Sequence, residues 1–169
     1  MKTTIIVAEP LTKEAFAPYG DVIETQDSHH FSINAGMVER HHDLAKLDID
    51  YADGGRPIIS FFEILEGSSF PIEFDLVERH PKGSQAFIPM FDEPVALVVA
   101  AKDSNATGAD LRAFITNGKQ GFNFHAGVWH MPLVSEEKGR MFVIVDRAGP
   151  GNNCDELTFE NEKIELQIP

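Results

Sequence analysis

Between Phe70 and His80 the chain alternates. Phe70, Ile72, Phe74 and Leu76 take turns with Pro71, Glu73, Asp75 and Val77, a period of two that predicts a strand with one buried face. The same face then continues as Glu78 and His80. Short runs rich in Val, Ile and Phe recur as DVIET, RPIISFFEIL, SQAFIPM, PVALVVAA, DLRAFIT and RMFVIVDR, separated by Gly, Pro, Asn and Asp; each predicts a further strand. The Asn117-Gly118 pair between LRAFIT and KQGFNF predicts a two-residue hairpin turn, because both central positions of a type I′ turn need positive φ. One segment, PLTKEAFAPYGDVIE, has the pattern of a short helix, with Thr12 as N-cap, Glu14 in the first turn, and Pro18 and Gly20 ending it. Many strands at close spacing predict an all-β barrel or sandwich with a short N-terminal helix. No linker rich in Pro or Ser divides the chain, so residues 1–169 are expected to form one domain. The acidic tail CDELTFENEKIELQIP is expected to pack as a terminal strand or helix.

Charge narrows the partners. The 27 acidic residues against 14 basic ones give a net charge of -13, and no cluster of Lys or Arg interrupts it. Nucleic acid and anionic membranes are disfavoured, since both need concentrated positive charge. An anionic ligand would have to be captured by a few local arginines. The single cysteine, Cys154, has no internal disulfide partner, and MKTTIIVAEP lacks the apolar stretch of a signal peptide. The longest apolar run, Pro94 to Ala101, is too short to span a bilayer. A cytoplasmic protein is expected.

In a small barrel alternate residues point inward, so the face ending in Glu78 and His80 would run from a packed interior to a polar mouth. The alternative is that this strand end is ordinary surface. In GFNFHAGVWHMPL, residues His125, Gly127 and His130 have the spacing of the second cupin motif, PxGxxH, with His125 in the proline position. Glu78, His80 and Gln85 occupy the three ligand positions of the first, HxHxxxxE. The two segments lie in the right order, about 45 residues apart, and predict a cupin-like β-barrel or sandwich. Glu78, His80, Gln85 and His130 then either hold a divalent first-row metal, with glutamine and glutamate as weaker substitutes for the usual ligands, or form a metal-free polar pocket with an acid and a base.

Arg112, Arg147 and Arg40 sit within or near strands, where a guanidinium meets a carboxylate of the protein or of a ligand. His41 and His42 are adjacent on a strand and face opposite sides. His29 and His30 are expected in a solvated loop, and Trp129 in the core. Cys154 has no basic neighbour in sequence to make it a nucleophile.

The segments VERHPKGSQAFIPM, LRAFITNGKQGFNFHAGVWHMPL and VDRAGPGNNCDE resemble, as a set, the bacterial ureidoglycolate lyase family, as do LTKEAFAPYGDVIE and NAGMVERHHDLA. The resemblance covers nearly the whole chain in order. It departs at Met131, where a second histidine is usual, at Phe124, where a tyrosine is, and at Ala148, where a glycine is. The resemblance implies a cupin-like protein, commonly a homodimer, that splits ureidoglycolate into glyoxylate and urea in allantoin breakdown, and it suggests a divalent cation such as nickel. On that reading Glu78, His80 and His130 carry the proton transfers, Arg112 or else Arg40 binds the substrate carboxylate, and Gln85 or Asn34 bonds the ureido group. An amidohydrolase releasing ammonia and carbon dioxide, or a non-catalytic barrel binding a small carboxylate, are the competing readings.

Overall fold

The computed structural model describes residues 2–169 and is almost entirely β. A six-stranded sheet runs in the order Asp155–Thr158, Leu76–Arg79, Trp129–His130, Ala96–Ala100, Arg112–Ile115, Glu9–Pro10. A five-stranded sheet, in the order Gly20–Ile23, Gly121–Phe124, Gln85–Pro89, Met141–Ala148, Arg56–Glu63, faces it. The two are open sheets packed as a sandwich rather than a closed barrel. Their inner faces share one core, in which Phe87, Val99, Phe114, Phe122, Phe124, Phe142 and Ile144 are buried. A three-stranded sheet of Lys2–Val7, Glu162–Gln167 and Ile72–Phe74 covers the outer face of the six-stranded sheet over a second core. There Val77, Val98, Ala100, Ile164 and Leu166 have no exposure. Among the described residues no helix is long and apolar enough to cross a membrane.

The run from Phe70 to His80 is not one strand. It breaks at Asp75, whose carbonyl accepts from Phe159 N at 2.7 Å. Ile72–Phe74 joins the small sheet and Leu76–Arg79 the six-stranded one. Ile72 and Phe74 therefore pack on the second core, and so does Val77, from the opposite parity. Glu78 is left on the inner face. The alternation was real, but the buried face it described is not continuous.

The Asn117-Gly118 turn is likewise not a hairpin. Arg112–Ile115 and Gly121–Phe124 lie in different sheets, so the turn carries the chain across the sandwich. Only Gly118 of the pair has positive φ (87°). Asn117 Oδ1 accepts from Lys119 N at 2.9 Å, a local bond of the kind that makes Asn a turn residue. The helix forms where expected, over Lys13–Phe16, with Thr12 Oγ1 accepting from Ala15 N. Its Phe16 ring meets Phe114 edge-on at 5.4 Å. That contact seats the Gly20–Ile23 edge of one sheet over the Arg112–Ile115 strand of the other. The tail supplies two strands, Asp155–Thr158 and Glu162–Gln167. His29–Ile33 and Val38–His42 pair only with each other, as an arm, so His29 and His30 lie on a strand rather than in a loop.

Candidate active site

Across the six-stranded sheet Glu156 pairs with Glu78, Glu78 with His130, His130 with Val99, and Val99 with Arg112. Directly paired residues project to the same face, so this row lies on the inner side. His80 follows the strand end and joins the row from above. Its ring centroid is 5.1 Å from that of His130. Ligand atoms of Glu78, His80 and His130 all fall within 4.8 Å of one another.

Two turns hold the imidazoles in place. Gly127, at φ 80°, lets the chain reverse before His130, and its amide donates to the His80 carbonyl at 2.9 Å. The two motif segments are thus bonded directly to each other. His80 Nδ1 lies 2.8 Å from the Asn153 carbonyl, and His130 Nδ1 lies 3.1 Å from that of Val128. A carbonyl oxygen can only accept, so in both rings Nδ1 carries the proton and donates. Each Nε2 is left as a lone pair, and both are buried without a protein partner. His130 Nε2 looks at Glu78 Oε1 from 3.6 Å.

Three electron-pair donors therefore converge with no proton between them. Such a cluster attracts positive charge, whether a proton arriving on an imidazole or a cation. When His130 is protonated, its Nε2–H bond and positive charge hold the Glu78 carboxyl below the usual carboxylate range, against the opposing effect of burial. On its other side Cys154 Sγ donates to Glu78 Oε2 at 3.7 Å. Burial and the nearby Glu78 and Glu156 charges push the Cys154 thiol up, so it is a protonated donor and not a nucleophile. The Phe124 ring lies parallel to His130, 4.4 Å between centroids at 17°, and closes the site from the facing sheet. Gln85, paired with Phe124 in that sheet, is 6% exposed on the same inner face.

A family model described as Ureidoglycolate lyase matches residues 3–167. The chain belongs to the ureidoglycolate lyase family. A ureidoglycolate lyase of Pseudomonas syringae pv. tomato is 50% identical over 167 residues, covering 98% of this chain and 96% of that protein. One of Pseudomonas fluorescens is 48% identical over 169 residues, covering 100% and 99%. A solved 3,4-ketoisomerase from Helicobacter canadensis covers 85% of this chain and 87% of its own at 14% identity and a TM-score of 0.43, too distant to carry weight.

The arginines fall elsewhere than this family's chemistry suggested. Arg112 pairs with Glu9 and lies over the Phe114 ring. It stands two strands from His130, roughly 10 Å away, behind the fully buried Val99. The pair with Glu9 favours its alternative reading as a structural ion pair. Arg147 is buried on the outer side, where it donates to the carbonyls of Asp50 and Ala52. Arg40 and Asn34 are exposed on the arm rather than lining the sandwich interior. His125, in the motif's proline position, turns away to Asp21 at 3.2 Å. What the residue patterns missed is the contribution of the 149–158 region. Asn153 orients His80, and Cys154 and Glu156 flank Glu78.

If Arg112 is structural, Arg112→Lys should melt earlier than the unmodified protein yet keep kcat/KM for ureidoglycolate within about twofold at low temperature. A tenfold loss at unchanged stability would return Arg112 to the site.

Proposed function

We infer that this chain is a ureidoglycolate lyase, eliminating urea from ureidoglycolate to leave glyoxylate. The carrying observation is the cluster of Glu78, His80 and His130, whose ligand atoms lie within 4.8 Å of one another, in a chain that matches this family along nearly its whole length. The substrate carbon bears a carboxylate, a hydroxyl and a ureido nitrogen. One histidine, taken here as His130, accepts the hydroxyl proton on Nε2. As the O–H electrons form the carbonyl, the carbon–nitrogen bond breaks and its pair goes to nitrogen. The imidazolium then returns the proton to that nitrogen and urea departs. Glu78 stabilises the imidazolium while it exists, and the Val128 carbonyl keeps the ring from turning. Positioned proton transfer of this kind is worth about 10² to 10⁴ in rate.

Ureidoglycolate brings its own carboxylate to a pocket that already holds Glu78, so the same balancing positive charge also serves binding. The donor set fits a divalent first-row cation such as nickel, with Glu78, His80 and His130 as ligands and Gln85 across the site. Such an ion would lower the pKa of the substrate hydroxyl and do part of the base's work. The competing amidohydrolase would attack the ureido carbonyl with an activated water and release ammonia and carbon dioxide, so the two readings part at their products.

A homodimer in the cytoplasm is proposed on the same footing. Ile59, Phe61, Ile88 and Met90 lie exposed along one side of the five-stranded sheet, an apolar patch on which two copies of a chain of net charge -13 could meet. Sedimentation at micromolar concentration showing a stable 18.7 kDa species would reject the dimer.

The product decides the chemistry. Purified protein should release urea and glyoxylate from ureidoglycolate in equal amounts, and His130→Ala should lower kcat by about 10² to 10⁴. Ammonia in place of urea would favour the amidohydrolase. Binding without turnover would favour a non-catalytic carboxylate-binding role.

A further inference from the structure

One carboxylate of the facing sheet has no part in the chemistry above. Asp146 lies on the strand Met141–Ala148 in line with Phe142 and Ile144, both of zero exposure in the inner core, so its side chain also points inward. On the adjacent strand Gln85 donates from Nε2 to Asp146 Oδ2 at 3.1 Å. Gln85 in turn pairs with Phe124, the ring stacked on His130. With Phe16 against Phe114 and Phe124 against His130, the strand orders of the two sheets carry the Gln85 strand toward the Glu78 side of His130.

A primary amide is nearly symmetric in shape and can present either its oxygen or its NH2 group. An ionised carboxylate accepts only. Asp146 therefore takes the NH2 of Gln85, and the carbonyl Oε1 is turned the other way. Among the described residues no hydrogen bond reaches that oxygen.

We propose that Asp146 is a positioning residue that locks the Gln85 amide with its carbonyl toward the Glu78–His80–His130 cavity, so that this corner receives an N–H donor, the ureido group of the substrate. This rests on the lyase reading for the identity of the donor. The orientation of the amide itself does not. A group that reads N–H also discriminates, because a substrate with an oxygen or methyl in place of the ureido N–H leaves a desolvated carbonyl unpaired.

Asp146→Asn tests the lock without emptying the site. Two amides can pair either way round, so the contact survives while the choice of orientation is lost. Urea release would be followed for Asp146→Asn, Gln85→Leu and the double variant. Each single variant should lose about tenfold in kcat/KM, chiefly through KM, as expected when a hydrogen bond made in both ground and transition state is lost. The double variant should be no worse than Gln85→Leu, since Asp146 acts through Gln85. Independently of turnover, the Gln85 side-chain NH2 protons, assigned by their loss in Gln85→Leu, should exchange with solvent more slowly than those of the exposed Gln26, and this protection should vanish in Asp146→Leu. If the protein released no urea at all, the lyase reading would fall and the exchange measurement would still decide the lock. Asp146→Asn activity within twofold of the unmodified protein, a double variant that multiplies the two losses, or unprotected Gln85 protons would each overturn the proposal.

Discussion

The Nδ1–H of His80 donates to the carbonyl of Asn153, and that of His130 to the carbonyl of Val128. From these two bonds the rest of the site follows. They set the tautomer of each ring, leave both Nε2 atoms as buried lone pairs in the cluster with Glu78, and make the cluster a receiver of positive charge. They are themselves well anchored. Asn153 Oδ1 accepts from Lys82 N at 2.7 Å, and the Val128 turn is tied through Gly127 to the His80 backbone. Removing either carbonyl contact would free a ring to flip, after which an N–H and not a lone pair could face the pocket.

An acidic enzyme for an anionic substrate has an electrostatic problem, and the arginines near the sandwich are already engaged with the protein's own groups. Arg112 and Arg147 both serve the scaffold, one at the far end of the row and one behind the sheet. The lone-pair cluster is the other place where positive charge can gather, and burial makes each interaction there stronger than it would be in water. The depressed Glu78 carboxyl belongs to the same economy, since a carboxylate that stays ionised can stabilise an imidazolium as it forms.

Much of this was legible in the residues, for reasons that can be named. Spacing brought out Glu78, His80 and His130 because strand parity and motif order are local properties. The all-β class followed from many short β-branched and aromatic runs. Period alone could not say which of two cores a face meets, so Phe74 and Glu78 seemed to share one surface when a break at Asp75 sends them to different layers. Nor could it tell that Asn117-Gly118 bridges two sheets, since turn chemistry is the same in either case. Asn153, Cys154 and Asp146 carry no spacing signal toward the motifs. Asn153 and Cys154 come to Glu78 through the pairing of Asp155–Thr158 with Leu76–Arg79 in one sheet, Asp146 meets Gln85 through strand pairing in the other, and the Arg112–Glu9 pair joins residues about a hundred positions apart.

The account turns on the protonation pattern of two rings, and nitrogen-15 NMR of the imidazoles in the ligand-free protein at neutral pH reads it directly. His80 and His130, assigned by single replacement, should each show a protonated Nδ1 and a bare Nε2, with Nε2 moving on addition of a divalent cation or acid. Finding the proton on Nε2 of either ring would contradict the account, because the pocket would then present a donor where the elimination requires a base.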